Sequence, residues 1–452
     1  MIFAKQAKLS TGWAPNVRVT HANGRVTAIA VGQSPDPADT CVDTLLPALA
    51  NLHSHSFQRA MAGMTEYRKA GKDSFWTWRD LMYRFTANLT PEHIEAIAAF
   101  VFLEMQEAGY ASVGEFHYLH HRPGGAPYDD LGELSGRIAA AAASTGIGLT
   151  HLPVLYSYGG AGQVPLEAGQ ARFGNSVDRF NALVARAREA VAQLPADCRV
   201  GIAPHSLRAT SPEDLAAVLA AHGAGPVHIH IAEQPKEVAD IHAWLGARPV
   251  EWLLANAGVT PDWCLIHATH MTVEETLNMA KSGVVAGLCP VTEANLGDGP
   301  FNGPSYLAAG GAFGVGSDSN VLISLTEELR ILEYSQRLRD VARNVMVVGE
   351  GSVGDTLYMG AAKGGAQALG RGTGEIAVGA LADVVAIDSS APSLCALHQD
   401  QILDGLVFAS KDTVVTDLWS AGRHMVQSGR HIKRDEITRG YKAALQSLMA
   451  AM

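Results

Sequence analysis

A chain of 452 residues exceeds the usual size of one compact domain, so a large core with a smaller accessory unit is the expectation. With 47% hydrophobic residues, 17% charged residues and 46 glycines, the composition suits a buried α/β protein rich in tight turns and excludes a disordered one. A formal net charge of −11 without a basic cluster argues against nucleic acid or an anionic membrane as partner, and means that an anionic substrate would need local arginines.

The N-terminal MIFAKQAKLSTGW has no long apolar run, and no later stretch approaches a membrane span. Cys41, Cys198, Cys264, Cys289 and Cys395 are widely spaced and lack C-x-x-C pairing, which indicates neither a disulfide framework nor a cysteine zinc site. A reducing cytoplasm is the expected compartment.

In chain order, NVRVTHANGRVTAIAVG reads as a β meander with a hairpin turn at Asn23-Gly24. From about Leu45 the pattern changes to short apolar strands separated by helices. Eight such strands are expected: LPALANLHSH, ASVGEFHYL, GIGLTHLPVLY, RVGIAPHSL, PVHIHIAE, CLIHATH, VVAGLCP and AFGVGSDS. Thr90-Pro91, Ser211-Pro212 and the capping box Thr272/Glu275 open helices between them, and Gly223 and Gly283 close two. Eight strand-helix repeats predict a closed (β/α)8 TIM-like barrel over 47–372, although an open doubly wound sheet fits the same pattern. EIAVGALADVVAID and DTVVTDLWSAGRHMV return to strand character, so 1–46 and 373–452 are expected to form one small β-sandwich domain, with ITRGYKAALQSLMAAM as a packed terminal helix.

The chemistry concentrates at expected strand ends. His53 and His55 are two apart and so share one face of the first strand. His205, His230, His267 and Asp318 end the fourth, fifth, sixth and eighth strands, at the rim where such barrels carry active sites. The expected metal ligands are His53, His55, His230 and Asp318, a set suited to a zinc-like or ferrous ion with one position open for water. His228 lies one layer deeper and reads as a buried core histidine. Glu233, three residues past His230, can face the metal-bound water and move a proton to a leaving nitrogen; otherwise it is an ordinary helix-start glutamate. His267 is a second proton handler, or else a fifth ligand or a structural histidine.

H-x-H on strand one, histidines on strands five and six and aspartate on strand eight resemble the amidohydrolase superfamily over nearly the whole chain. Many of its members bridge two metals with a carbamylated lysine on strand four. No lysine occurs between Lys72 and Lys236, so one metal is expected. LHSHSFQRAMAGM, FWTWRDLMYRF, GEFHYLHH, APHSLRA, HIHIAEQPKEV and GVGSDSN are similar to the formimidoylglutamate deiminase family of histidine breakdown. The resemblance implies zinc-bound hydroxide attacking the formimino carbon of N-formimino-L-glutamate, releasing ammonia and N-formyl-L-glutamate. It makes Glu233, His267 and Asp318 catalytic, and Gln58, Arg79, Tyr118, His205 and Arg208 substrate-binding, with Arg208 or Arg79 meeting the carboxylates. Arg79 is expected to reach in from a loop or a neighbouring subunit of a homodimer, its aromatic neighbours forming a lid or interface. A purine-like or guanidino deaminase, disfavoured by the scarcity of an evident aromatic stacking pocket, and a non-catalytic scaffold remain as alternatives.

Overall fold

The computed structural model describes residues 1–67 and 75–452, without side chains for 75–77. The chain begins with β1 (Ile2–Leu9), β2 (Gly12–Ala22), β3 (Arg25–Val31) and β4 (Thr40–Pro47). Asn23 and Gly24 take φ of 51° and 79°, which lets the two-residue turn follow the twist of β2 and β3. The middle of the chain carries β5 (Leu49–Ser54), β6 (Tyr110–His117), β7 (Gly148–Leu155), β8 (Arg199–Val200), β9 (Ala203–Pro204), β10 (Val227–Ile231), β11 (Trp263–His267), β12 (Val285–Leu288) and β13 (Ala312–Val315). It closes with β14 (Val384–Ile387), β15 (Val415–Ser420), β16 (Arg423–Gln427) and β17 (Arg430–His431).

β5 to β9 form one parallel sheet and β10 to β13 another. The two meet at both edges. Ile202 and Ser206 bridge to Val227 and His230 at one seam, and Ser54 bridges to Asp318 at the other. The expected fourth strand appears as two short pieces, β8 and β9, that both pair β7 in one register; between them Gly201 N–H bonds to His151 on β7 and Ile202 N–H to Pro226 before β10. A side chain on Gly201 would meet the Pro226 carbonyl at 2.5 Å, so only glycine permits the approach.

Helices intervene as expected. Thr90, Ser211 and Thr272 cap helices Pro91–Ala108, Pro212–His222 and Val273–Ser282, and Glu275 completes the last capping box. The terminal helix Arg434–Ala451 packs onto the body, with Tyr441 stacked on Phe100 at 4.1 Å.

Both chain ends join in one eight-stranded sheet, ordered β17-β16-β15-β14-β4-β1-β2-β3, in which only β1 and β4 pair in parallel. Its own core gathers Ile2, Val17, Val42, Val384 and Trp419. Arg371 fastens this sheet to the middle of the chain: its guanidinium is fully buried between Asp383 at 2.9 Å and Asp197 at 3.2 Å, and Arg423 pairs with Asp197 at 2.8 Å. Removing one partner of a buried pair leaves uncompensated charge, so Arg371→Met is expected to destabilise the fold by about 3–5 kcal/mol, read as a lowered urea midpoint. Among the described residues, no helix is long and apolar enough to cross a membrane.

Candidate metal centre and active site

Strand alternation and the seam between β5 and β13 bring the predicted ligands together. His53 lies on β5 and His55 just beyond it, and the backbone of Asp318 bonds to both: its N–H to the His53 carbonyl and its carbonyl to the His55 N–H, each at 2.9 Å. One ligand atom from each of His53, His55, His230 and Asp318 lies within 4.8 Å of the others. Asp318 Oδ1 stands 3.4 Å from His53 Nε2 and 3.3 Å from His55 Nε2, and His53 Nε2 stands 3.1 Å from His230 Nε2.

The donor chemistry fits a divalent ion. The Nδ1 atoms of His55 and His230 face the carbonyls of Phe116 at 2.8 Å and His205 at 3.1 Å, so each Nδ1 donates and each Nε2 lone pair turns inward. Burial pushes the His53 imidazole down to about 3, leaving it neutral. Burial pushes the Asp318 carboxyl up, but its side-chain contact with His53 and the charge of nearby His267 outweigh this and hold it well below the usual carboxylate range. Neutral nitrogens and an ionised oxygen converge, as a cation requires. His228 is not among them: it is buried, with Nε2 bonded to the Ala368 carbonyl at 2.8 Å.

The rim is held in unusual backbone conformations. Ala232, His267, Ala268 and Asp318, all just at or past strand ends, have φ between 46° and 68°. Left-handed non-glycine residues cost about 1–3 kcal/mol each and persist where the surroundings fix them.

His267 stands beside the four. Its Nδ1 is 3.2 Å from Glu293 Oε1, and its Nε2 is 3.7 Å from Asp318 and 3.8 Å from Glu233. Burial pushes its imidazole down, but the Glu293 hydrogen bond and the three carboxylates outweigh this and raise it to about 10. His267, Cys289 and Asp318 form a second trio of nearby donors, but a charged His267 has no lone pair to offer and is fitted to hydrogen bonding instead. Glu233 is shifted upward, chiefly by burial, against the opposing charges of His267 and Arg208. A carboxyl held nearer neutrality can both take and give a proton.

The cavity over these groups is also lined by Gln58, Arg79, Tyr118, His205 and Arg208. Gln58 donates to the Tyr118 hydroxyl at 2.7 Å, and His205 Nδ1 meets Ser206 Oγ at 2.9 Å. Arg79 reaches the cavity from helix Phe75–Thr86 of the same chain, its guanidinium 5.4 Å from the centre of the Tyr83 ring. The placement requires no neighbouring subunit. Phe75 and Trp76, expected in a lid or interface, have side chains outside the described residues. Arg208 is engaged on one side, 3.2 Å from Glu233 Oε2 and 3.7 Å from Glu237 Oε2.

Several site residues escaped the sequence reading. Glu237, one helical turn beyond Glu233, and Glu293, in PVTEANL after β12, fix Arg208 and His267. Their recurrence near strand ends was the available signal. The expected scarcity of an aromatic pocket is also corrected: Trp78, Tyr83, Tyr156 and Phe173 wall the cavity. Trp78 and Tyr83 share the helix Phe75–Thr86, whereas Tyr156 and Phe173 come from the connection after β7, where no local pattern announces them.

The sequence model for the Amidohydrolase family matches residues 44–425, and that for "Formimidoylglutamate deiminase HutF, N-terminal domain" matches residues 1–42. Formimidoylglutamate deiminase of Pseudomonas aeruginosa is 49% identical over 451 residues, 99% of each chain. The crystal structure of an amidohydrolase from Brucella melitensis, also 49% identical, superposes with a TM-score of 0.95 over 99% of each chain. An adenosine deaminase from Xanthomonas campestris with bound zinc shares the fold at 21% identity, with a TM-score of 0.81 over 99% of this chain and 98% of that one. The chain belongs to the amidohydrolase family, and it is similar over its full length to a formimidoylglutamate deiminase.

Proposed function

We propose that this protein hydrolyses N-formimino-L-glutamate to N-formyl-L-glutamate and ammonia, the deimination step of histidine degradation. The observation that carries the reading is a single cavity in which His55, His230 and Asp318 meet both Glu233 and the two guanidinium groups of Arg79 and Arg208. Metal donors, a proton carrier and cations for a dicarboxylate are the parts this reaction needs. The full-length identity to a protein of that name supports it.

His53, His55, His230 and Asp318 would hold one zinc ion, although another divalent metal suits the same donors. Bound there, the ion lowers the pKa of a water molecule toward neutrality. The absence of lysine between positions 72 and 236 supports a single ion, because no carbamylated lysine is available there to bridge two. Glu233 takes a proton from water and delivers it to the leaving nitrogen. His267, oriented by Glu293, donates a hydrogen bond where negative charge develops, and Asp318 accepts the second proton of water, which passes on to the leaving nitrogen so that it departs as neutral ammonia. The formimino carbon gains oxygen from water, its bond to the terminal nitrogen breaks, and that nitrogen leaves as ammonia. Arg79 and Arg208 hold the two carboxylates, while Gln58, Tyr118 and His205 add hydrogen bonds.

In this reading the two parallel sheets make a closed (β/α)8 barrel over 47–372. The segments 1–46 and 373–452 make the accessory domain, with its sheet curled as a sandwich around its own core. The seam bridges support the barrel, and the shared eight-stranded order supports the joining of both chain ends in one accessory domain. The functional unit is a cytoplasmic homodimer acting on a small dicarboxylate, without nucleic acid or membrane; sedimentation tests the assembly.

The aromatic cavity wall favours a purine-like deaminase as the second reading. The test is ammonia release from N-formimino-L-glutamate beside purines, pyrimidines and guanidino acids; a preference for any of these over the formimino compound overturns the proposal. A scaffold without catalysis would release none. Arg208→Met is expected to lower kcat/KM for N-formimino-L-glutamate at least about tenfold, since a hydrogen bond to a charged group contributes about 1.5–3 kcal/mol. Because Arg208 also touches Glu233, a substrate without carboxylates should lose something too, but less. Equal losses on both would make the arginine structural.

A further inference from the structure

We propose that Glu237 is a positioning residue that sets Glu233 and Arg208 relative to one another. The inference rests on the reading of Glu233 as proton carrier and Arg208 as carboxylate ligand. Glu237 is fully buried in the first turn of helix Pro235–Leu245 and does not line the cavity. Its Oε1 accepts the Ala232 N–H at 3.2 Å, and its Oε2 accepts the Glu233 N–H at 3.1 Å. Ala232 is one of the left-handed residues at the rim, with φ of 50°. The carboxylate thus holds the turn that aims the Glu233 side chain.

The same Oε2 lies 3.7 Å from Arg208 Nε, while Arg208 Nη2 reaches Glu233 Oε2 at 3.2 Å. One oxygen therefore touches the backbone of the proton carrier and the guanidinium that also contacts its side chain. All three neighbours are donors: two amides and a guanidinium. A carboxylate accepts from both amides and, at ion-pair distance, offsets the guanidinium charge. Glutamine in its place turns an N–H₂ donor toward one of these donors, and either the turn or the arginine must shift.

The test uses the full-length, metal-loaded protein, with Glu237→Gln and Glu237→Asp each made alone and combined with Arg208→Met. Displacement of a positioned group by about an ångström costs up to about 100-fold, so Glu237→Gln should lower kcat/KM for N-formimino-L-glutamate about 10- to 100-fold at unchanged metal content. Part should appear as a raised KM and part as a lowered kcat. In the Arg208→Met background the KM part should vanish and the kcat part remain. A residue of merely structural importance would give the same factors in both backgrounds. Glu237→Asp, which keeps an acceptor-only group, should fall between wild type and Glu237→Gln, and it carries the same comparison if the glutamine variant does not fold. Amide hydrogen exchange across residues 230–237 gives a readout independent of substrate: it should accelerate locally in the variants. A loss under twofold, an equal KM effect with and without Arg208, or unchanged exchange overturns the proposal. Rapid local exchange in a protein inactive on N-formimino-L-glutamate would instead overturn the functional reading alone.

Discussion

Glu233→Gln is expected to reduce kcat about 10²- to 10⁴-fold while leaving the metal content unchanged, the usual contribution of a general acid-base group. Glutamine keeps the shape of the side chain and its contact with Arg208, but it can neither accept a proton from water nor return one to nitrogen. His267 does not stand in for it, because its Nδ1 is taken by Glu293 and its Nε2 lies between Glu233 and Asp318. Glu233 is also no ligand of the centre, so its amide should not release the ion. Metal analysis beside steady-state kinetics checks both halves. A metal-loaded variant within about tenfold of wild type would remove Glu233 from the mechanism.

Removing the metal should be more damaging still. The four donors offer neutral nitrogens and one ionised oxygen, and without an ion there is nothing among them to polarise water. Activation of water by a bound ion supplies several kcal/mol, so chelation should lower the rate by at least about a thousandfold. Returning metal to the apoprotein should restore activity linearly, with a break at one equivalent per chain. A break at two equivalents, or full activity without metal, would contradict the single-ion assignment.

Much of this was legible in the sequence because it is local. The spacing of His53 and His55 fixes a shared strand face, Asn23-Gly24 specifies its turn, and Thr272 with Glu275 specifies a helix start. The strand-end positions of His230, His267 and Asp318 follow from counting apolar runs. What was not legible depends on chain segments far apart. Phe173 and Tyr156, from the two ends of the long connection after β7, meet over the cavity the helix residues Trp78 and Tyr83 also wall, and Glu293 reaches His267 across 26 residues. Arg208 could be placed from sequence as a rim cation, but its neutralisation by Glu233 and Glu237 needed coordinates. That pairing changes its expected behaviour, since substitution there disturbs proton transfer as well as binding.

The central claim, hydrolysis of the formimino carbon–nitrogen bond at this centre, is tested most directly by product analysis. Metal-loaded protein is incubated with N-formimino-L-glutamate in water enriched in oxygen-18, and ammonia and N-formyl-L-glutamate are quantified together. The account predicts one ammonia per N-formyl-L-glutamate, with the formyl oxygen drawn from solvent. Ammonia without the formyl product, a formyl group without solvent oxygen, or no turnover of this compound by metal-loaded protein would contradict it.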